Sequence, residues 1–171
     1  RRNDPLLPPI VEVCSNMRLI HVPAGPARPI DTAALLPMMD EFGDYLHRFI
    51  GRERRRYDLI HANFFMSGLA ALRSVDDFDL PLVMSFHALG RTHHVDREDA
   101  LRFPTQRIAI ETLLARRATR LVAASVQGRN ELIAHCDAEP RRIDVVPSGY
   151  DPRELPSMTR EQARTALGWH P

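Results

Sequence analysis

Lysine is absent from this sequence, and all 23 of its basic residues are arginines. They are balanced by 22 acidic residues, and the resulting net charge of +1 gives no electrostatic reason to expect binding to nucleic acid or to an anionic membrane. Replacement of lysine by arginine throughout is typical of a GC-rich genome, so the arginine content alone does not indicate a function.

Cysteine and long apolar runs are also scarce. Cys14 and Cys136 lie far apart, at no spacing typical of zinc ligands, which argues against a zinc framework and against a disulfide-rich secreted domain. The apolar runs are too short to cross a bilayer and no signal peptide opens the chain, so we expect a cytoplasmic protein without a transmembrane segment. Because the first residue is not Met, we also expect a piece of a longer protein.

The remaining composition is typical of one globular domain. The 171 residues are 44% hydrophobic, which is enough for a core of their own, but the chain is too short for two full lobes. Strands are predicted at 10–13 and 18–22. Asp31 is the expected cap of an amphipathic helix whose apolar residues recur at three- and four-residue intervals between 38 and 50.

From residue 57 onward, short apolar strands alternate with helices. This alternation predicts an α/β fold with a doubly wound parallel sheet and right-handed crossovers. The predicted strands are 57–61, 82–86, 120–124 and 143–146, and the predicted helices are 67–73, 104–118 and 125–135.

The end of the chain has a different character. The turn-rich segment 147–152 precedes a capping-box pattern at Thr159 and Gln162, and Gly168 is expected to end the helix that this pattern opens. A helix that follows a linker, with nothing further to pack on, indicates the entrance of a second domain.

Polar residues and glycines follow the predicted strands, and ligands of open parallel sheets bind beyond the carboxyl ends of strands. Gly68 leaves room for a ligand to approach the backbone, His87 and Arg91 follow the next strand, and Gly149 follows the last. Arginine can grip a phosphate through two nitrogens and histidine can donate to a sugar oxygen, so this edge suits a phosphorylated or hydroxyl-rich ligand. Each residue alone is better explained as an ordinary turn residue. Because they converge on one edge of the sheet, a ligand site and a set of ordinary turn residues are equally supported.

Two further patterns leave alternatives open. Arg107 and Glu111 share a helix face, either as a surface ion pair in the less favourable orientation or as a pair directed at the same sheet edge. His93 and His94 lie near His87, but a histidine pair without cysteine or carboxylate at ligand spacing is more typical of a solvated loop than of a metal site. The glycine-rich dinucleotide fingerprint, the nucleophile elbow and the Walker loop do not occur in the sequence.

Five segments together resemble the retaining glycosyltransferases of family 4, nearest their sucrose-phosphate-synthase-like branch. Each segment alone is a weak signal, whereas five in the same order over about residues 10–168 are specific. The segments are 58–68 (DLIHANFFMSG), 81–91 (PLVMSFHALGR), 107–111 (RIAIE), 120–125 (RLVAAS) and 142–152 (RIDVVPSGYDP).

The resemblance implies the N-terminal lobe of a GT-B enzyme, in which two Rossmann-like lobes enclose the active site. It places an incomplete acceptor lobe at 1–147, and the linker and first helix of a missing donor lobe at 148–171. The rest of the donor lobe would lie in the same or another chain. The implied reaction moves a sugar from UDP or another NDP to a hydroxyl acceptor, a sugar phosphate among the candidates. It retains the anomeric configuration and needs no cofactor or metal, and the chain alone is expected to be inactive.

The resemblance also assigns a site. His87 matches the family histidine near the reacting sugar and is the expected catalytic residue. The second histidine of the strand motif is Asn63 here. Relatives often use lysine at the acceptor phosphate, so that role falls to Arg91 and Arg107. Because the resemblance implies no protein nucleophile, these groups would orient the substrates and stabilise charge. The expected substrate-binding residues are His61, Asn63, Ser67, Gly68, Arg91, Arg107, Glu111, Ser148 and Gly149.

Two other function classes remain open at this stage. One is a non-catalytic sugar- or nucleotide-binding module. The other is a stand-alone flavodoxin-like domain that acts in protein interaction, which predicts a sealed surface without an exposed apolar flank. The glycosyltransferase interpretation predicts the opposite, because a first lobe leans on parts of the second.

Overall fold

The computed structural model describes residues 7–53, 57–87, 89–90, 104–154 and 158–170. The strands and helices of this part of the chain are numbered in chain order. The strands are β1 (Ile10–Cys14), β2 (Met17–Ile20), β3 (Ile60–Asn63), β4 (Leu82–Phe86), β5 (Arg120–Ala123) and β6 (Ile143–Val145). The helices are α1 (Met39–Arg52), α2 (Phe65–Phe78), α3 (Pro104–Arg117), α4 (Val126–Cys136) and α5 (Arg160–Ala166).

A four-stranded parallel sheet organises the fold. Its strand order is β3-β4-β5-β6, and a helix connects each strand to the next. Helix α3 contacts both α2 and α4, so the three helices lie on the same face of the sheet. The predicted α/β fold class with a parallel sheet is therefore confirmed.

The core lies between this face of the sheet and the three helices. Ala62, Met84 and Leu121 point from adjacent strands into it, and Leu114 of α3 and Leu132 of α4 close it from the helix side. Alternate positions on the strands point to the opposite face. Along β3 this alternation leaves the residues on either side of Ala62 exposed.

The structure shifts two predicted elements. The strand predicted at 57–61 is β3 at Ile60–Asn63, because backbone pairing with β4 begins only at Ile60. The helix predicted at 67–73 is α2, which runs from Phe65 to Phe78. Its added last turn is stabilised by Phe78, whose ring stacks on His47 of α1 with 4.8 Å between ring centroids.

The helix caps are partly as predicted. The Ser125 side chain accepts a hydrogen bond from the Gly128 backbone at the start of α4, and Thr159 and Gln162 form the expected capping box of α5. The cap expected at Asp31 is wrong. Two 3₁₀ turns, Thr32–Ala34 and Leu36–Met38, separate Asp31 from α1, whose N-cap position is Met38 without a side-chain cap.

An apolar groove separates the β1–β2 hairpin from β3. Its cavity has a volume of about 670 Å³ and lies between the hairpin, α1 and the start of β3. Arg18 and Tyr57 form part of its wall, where an Arg18 amino group donates to the Tyr57 hydroxyl at 3.3 Å. Burial, together with the negative charge of Glu53, raises the pKa of the Tyr57 hydroxyl above its ordinary value. This wall is therefore partly shielded from water.

The end of the chain presents apolar side chains to solvent. Tyr150 is 75% exposed and Trp169 is 61% exposed, and α5 has no buried residue. The predicted exposed apolar flank is thus present in the described residues. Within the same residues, no helix combines the length and the apolar character that crossing a membrane requires.

Candidate functional site

Four polar side chains meet on the face of the sheet opposite the helices. In the parallel register Asn63 of β3 lies beside Ser85 of β4, so alternation places His61, Asn63, Ser85 and His87 on one side. His61 Nε2 and Ser85 Oγ are 2.8 Å apart, and His87 Nε2 lies 3.3 Å from Asn63 Oδ1. We call these four residues the polar cluster.

The polar cluster contains three exposed side chains and one buried side chain. His61, Asn63 and His87 are exposed, whereas Ser85 is only 6% exposed and is bonded to His61. Sequence reasoning brought His61, Asn63 and His87 to one edge but missed Ser85. The signal for Ser85 was present, since it is the one polar residue of an otherwise apolar strand.

The turn between β3 and α2 is strained. Phe64 has φ 72° and ψ 151°, a backbone conformation that residues with a side chain rarely adopt. The turn is held by backbone and side-chain bonds, because Phe64 N donates to Ser85 O at 3.1 Å and Ser67 Oγ donates to the carbonyl oxygens of Asn63 and Phe64. The predicted site residue Ser67 therefore fixes the turn through its bonds to the backbone of Asn63 and Phe64.

Arg107 and Glu111 form an ion pair in the first half of α3, in which Glu111 is buried and Arg107 is half-buried. Arg107 Nε donates to Glu111 Oε1 at 2.7 Å, and the Glu111 side chain is only 2% exposed. The Gly90 N–H donates to both Glu111 oxygens, at 3.1 and 2.9 Å. Of the two interpretations left open by the sequence, the surface ion pair is wrong, and the pair is in contact with the loop that follows β4.

Gly68 has a different role from the one expected. A Cβ atom at this position would lie 2.7 Å from Leu114 Cδ1 and 2.9 Å from Met84 Sδ, so the glycine allows α2 to pack closely on α3 and β4. Its N–H donates to the Phe64 carbonyl oxygen at 3.3 Å. Gly68 faces the core, which corrects the expectation that a ligand approaches the backbone there.

Two of the remaining predicted residues lie away from the polar cluster. Ser148 and Gly149 are exposed beyond the end of β6, and β5 separates that strand from β4. Arg91, His93 and His94 lie outside the described residues. Within the described ranges, no group of three or more His, Cys, Asp or Glu side chains is arranged to hold a metal ion.

Comparisons with known proteins identify the family of the chain. The family model of Glycosyltransferase Family 4 matches residues 2–154. D-inositol 3-phosphate glycosyltransferase 1 of Catenulispora acidiphila is 38% identical over 170 residues, covering 98% of this chain and 40% of that protein. D-inositol 3-phosphate glycosyltransferase of Kineococcus radiotolerans is 32% identical over 171 residues, covering 98% and 39%. The chain thus spans about 40% of the length of these curated relatives.

Solved structures support the fold. Sucrose-phosphate synthase from Thermosynechococcus elongatus matches 99% of this chain and 41% of its own, with a TM-score of 0.83 at 23% identity. HepE of Anabaena, solved in complex with UDP-glucose, matches 81% of this chain and 34% of its own, with a TM-score of 0.53 at 20% identity. The family model, which matches residues 2–154, shows that the chain belongs to glycosyltransferase family 4.

Proposed function

We propose that the protein containing this chain transfers a sugar from an NDP-sugar to a hydroxyl group, with retention of the anomeric configuration, and that this chain supplies the acceptor side. The observation that carries the proposal is the polar cluster at the carboxyl end of β3 and β4, in a chain of glycosyltransferase family 4. Imidazole, amide and hydroxyl groups both donate and accept hydrogen bonds, and these bonds recognise a hydroxyl-rich ligand.

In this proposal His87 contacts the reacting sugars. Its ring is exposed and Asn63 Oδ1 orients it, so one imidazole nitrogen remains directed by the protein while the ring faces the acceptor. His61, held by Ser85, offers a second directed donor or acceptor. The site therefore supplies orientation and stabilisation of developing charge, as a front-face substitution needs.

The carboxylate of Glu111 supports a mechanism without a protein nucleophile on this side. Both of its oxygens accept hydrogen bonds from Gly90 N, and Oε1 also accepts one from Arg107 Nε. A buried carboxylate engaged in this way holds structure and is not directed at a sugar carbon. In the proposed reaction the departing diphosphate takes the acceptor proton.

We also propose that residues 1–147 belong to the acceptor lobe and that 148–171 lead into a donor lobe. Support comes from the exposed Tyr150 and Trp169 and from α5, a helix without a buried residue. The groove beside β3 supports a further strand of the acceptor lobe, because it separates the two-stranded sheet from the four-stranded one and most of its wall is apolar. The relatives' greater length leaves room for both additions.

Further parts of the proposal concern substrate and location. The names of the relatives support a phosphorylated polyol as a candidate acceptor, and Arg91 and Arg107 remain the predicted cations for its phosphate. The UDP-glucose complex of HepE supports a UDP-sugar as a candidate donor. The cytoplasm is the proposed location, because two cysteines as far apart in the sequence as Cys14 and Cys136 do not indicate a disulfide-rich secreted domain.

Thermal denaturation of the chain with a panel of polyols and sugar phosphates tests the acceptor site. A ligand at a hundred times its Kd stabilises the folded state by about 2.7 kcal/mol, a rise in Tm of about 5 to 11 °C for a chain of this size. The rise should be lost in His87→Ala and kept in His135→Ala, which changes an exposed histidine of α4. A panel without any rise, or a rise that His87→Ala leaves intact, would contradict the proposed site.

A further inference from the structure

We propose that Glu111 and Arg107 are positioning residues that hold the polar cluster in register by tying together the two loops that carry it. The proposal rests on the function proposed above. It assigns these two residues a role that acts through His87 and Asn63 and is separate from the phosphate contact predicted for Arg107. The loops are the turn from β3 to α2, which carries Asn63, and the start of the connection from β4 to α3, which carries His87.

The connection after β4 is held through Gly90. Three residues after His87, the Gly90 N–H donates to both oxygens of Glu111. Between the two, Leu89 is 4% exposed and belongs to the hydrophobic core. A Cβ at Gly90 would lie 3.0 Å from Arg107 Cδ and 3.2 Å from Arg107 Nε, so the backbone lies directly against this side chain. The position of this stretch is therefore set by the first turns of α3.

The turn after β3 is held through the other end of the same pair. The guanidinium carbon of Arg107 lies 5.3 Å from the centre of the Phe64 ring and 5.2 Å from that of Phe65, within the range of cation–π attraction. Phe64 directly follows Asn63 and has the positive φ that local sequence preference opposes. A strained residue keeps its conformation only where its surroundings hold it, and Arg107 packs on its side chain.

Glu111 joins these two contacts, because its Oε1 accepts from both Arg107 Nε and Gly90 N while Oε2 accepts from Gly90 N at 2.9 Å. Glutamine at this position keeps the shape but places an N–H₂ donor at one of the two oxygen positions. An N–H₂ group facing either Gly90 N or Arg107 Nε is a donor facing a donor, so Glu111→Gln cannot keep all three bonds.

Within the polar cluster, the contact between His61 and Ser85 serves as a control for the contact between His87 and Asn63. His61 and Ser85 both lie on strands that pair with each other, so their 2.8 Å contact depends on the sheet. His87 and Asn63 lie at the strand ends, where the loops begin, and their contact is 3.3 Å. Loss of the Glu111–Arg107 pair should therefore move the His87 ring while the His61 ring stays in place.

The test is histidine-selective NMR of the protein at its full length, with the Cε1–H resonance of each ring assigned. Glu111→Gln removes the charge, and Arg107→Lys keeps the positive charge but loses the planar Nε fork. Glu131→Gln is the matched control, since it makes the same chemical change on α4, where Glu131 accepts from Gln127 on the helix surface. Melting temperatures are measured on the same samples.

We expect the His87 resonance to shift in Glu111→Gln and in Arg107→Lys, with the His61 resonance unchanged in both. In Glu131→Gln the His61 and His87 resonances should both stay in place. In the sugar-transfer assay kcat should fall on the order of 10²-fold in both variants, with the KM for the NDP-sugar unchanged, because a misplaced group slows the chemical step. If Glu111→Gln fails to fold, the milder Arg107→Lys decides.

An unmoved His87 resonance in a folded variant overturns the proposal, and so does an equal shift of His61 and His87, which would indicate general loosening of the sheet. Absence of sugar transfer by the wild-type protein would instead contradict the proposed function. The NMR comparison distinguishes the two failures because it does not depend on turnover.

Discussion

Substitution of Gly68 by alanine tests how closely α2 packs against the core beneath the candidate site. The added Cβ would lie 2.7 Å from Leu114 Cδ1 and 2.9 Å from Met84 Sδ. Carbon atoms are in favourable contact at about 3.5–4.0 Å, so the methyl group intrudes by roughly 1 Å. Leu114 and Met84 are both fully buried and cannot turn out to solvent.

Two opposing effects decide whether Gly68→Ala raises or lowers the free energy of unfolding. Overpacking a core with an extra methyl group costs about 1–3 kcal/mol. Alanine in place of helical glycine stabilises by about 1 kcal/mol. Gly128 separates the two effects, because it lies in the first turn of α4 and a Cβ there would meet Ser125 Oγ at 3.5 Å and Ala123 Cβ at 3.8 Å, which are ordinary contacts. Gly128→Ala should therefore gain helix stability without a clash.

The difference in unfolding free energy between Gly68→Ala and Gly128→Ala isolates the cost of the steric clash, since both variants gain the same helix propensity of alanine. We expect Gly68→Ala to be less stable than Gly128→Ala by about 1–3 kcal/mol, or roughly 2 to 12 °C in Tm for a chain of this length. Urea and thermal denaturation measure it. If Gly68→Ala is as stable as Gly128→Ala, the packing argument is refuted, and the earlier expectation of a ligand approaching this glycine regains its basis.

Three further predictions concern other parts of the chain. Ser85→Ala removes the partner of His61; because the exposed imidazole can bond to water, urea denaturation should show a loss of only about 0.5–1.5 kcal/mol. The raised pKa of Tyr57 means that the folded state holds this proton more tightly than the unfolded state. Its contribution to stability is therefore full below the ordinary tyrosine pKa and is lost as the pH rises through the higher folded value. Ultraviolet titration should show a late-titrating tyrosine that Tyr57→Phe removes. Cys14 is exposed and Cys136 is buried, so a thiol reagent should modify one cysteine in the folded chain and the second only after unfolding.

The sheet could be predicted from the sequence because its signals are local. Short apolar strands at regular intervals, each followed by a helix, specify a parallel sheet, and Ser125 and Thr159 have the side chains that cap helices. The sequence pattern predicts a start of β3 that is three residues early, because the pattern begins at Tyr57 while the strand begins where Ile60 pairs with Leu82. Strand pairing is a non-local property and leaves no mark on the segment itself.

The candidate site was predictable in part for the same reason. The positions of His61 and His87 follow from strand ends, and the spacing of Arg107 and Glu111 places them on one helix face. The burial of Glu111 could not be predicted, since it depends on the contact of Gly90 with α3. The packing role of Gly68 likewise depends on α3 and β4, which approach it only in the folded chain.

The positive φ of Phe64 is the least predictable feature of the site. Aromatic residues disfavour this region of backbone space, so nothing in the sequence indicates a positive φ there. The conformation is imposed by its surroundings, namely the bond from Phe64 N to Ser85 O and the packing of Arg107 on its ring.

The most direct test of the account is the anomeric configuration of the product formed by the intact protein, read by proton NMR in parallel for the wild type and for His87→Ala. The account predicts transfer from an NDP-sugar to a hydroxyl acceptor with the donor's anomeric configuration retained, and loss of that transfer in a His87→Ala protein that melts at the wild-type temperature. An inverted product, or full activity of His87→Ala, would contradict it.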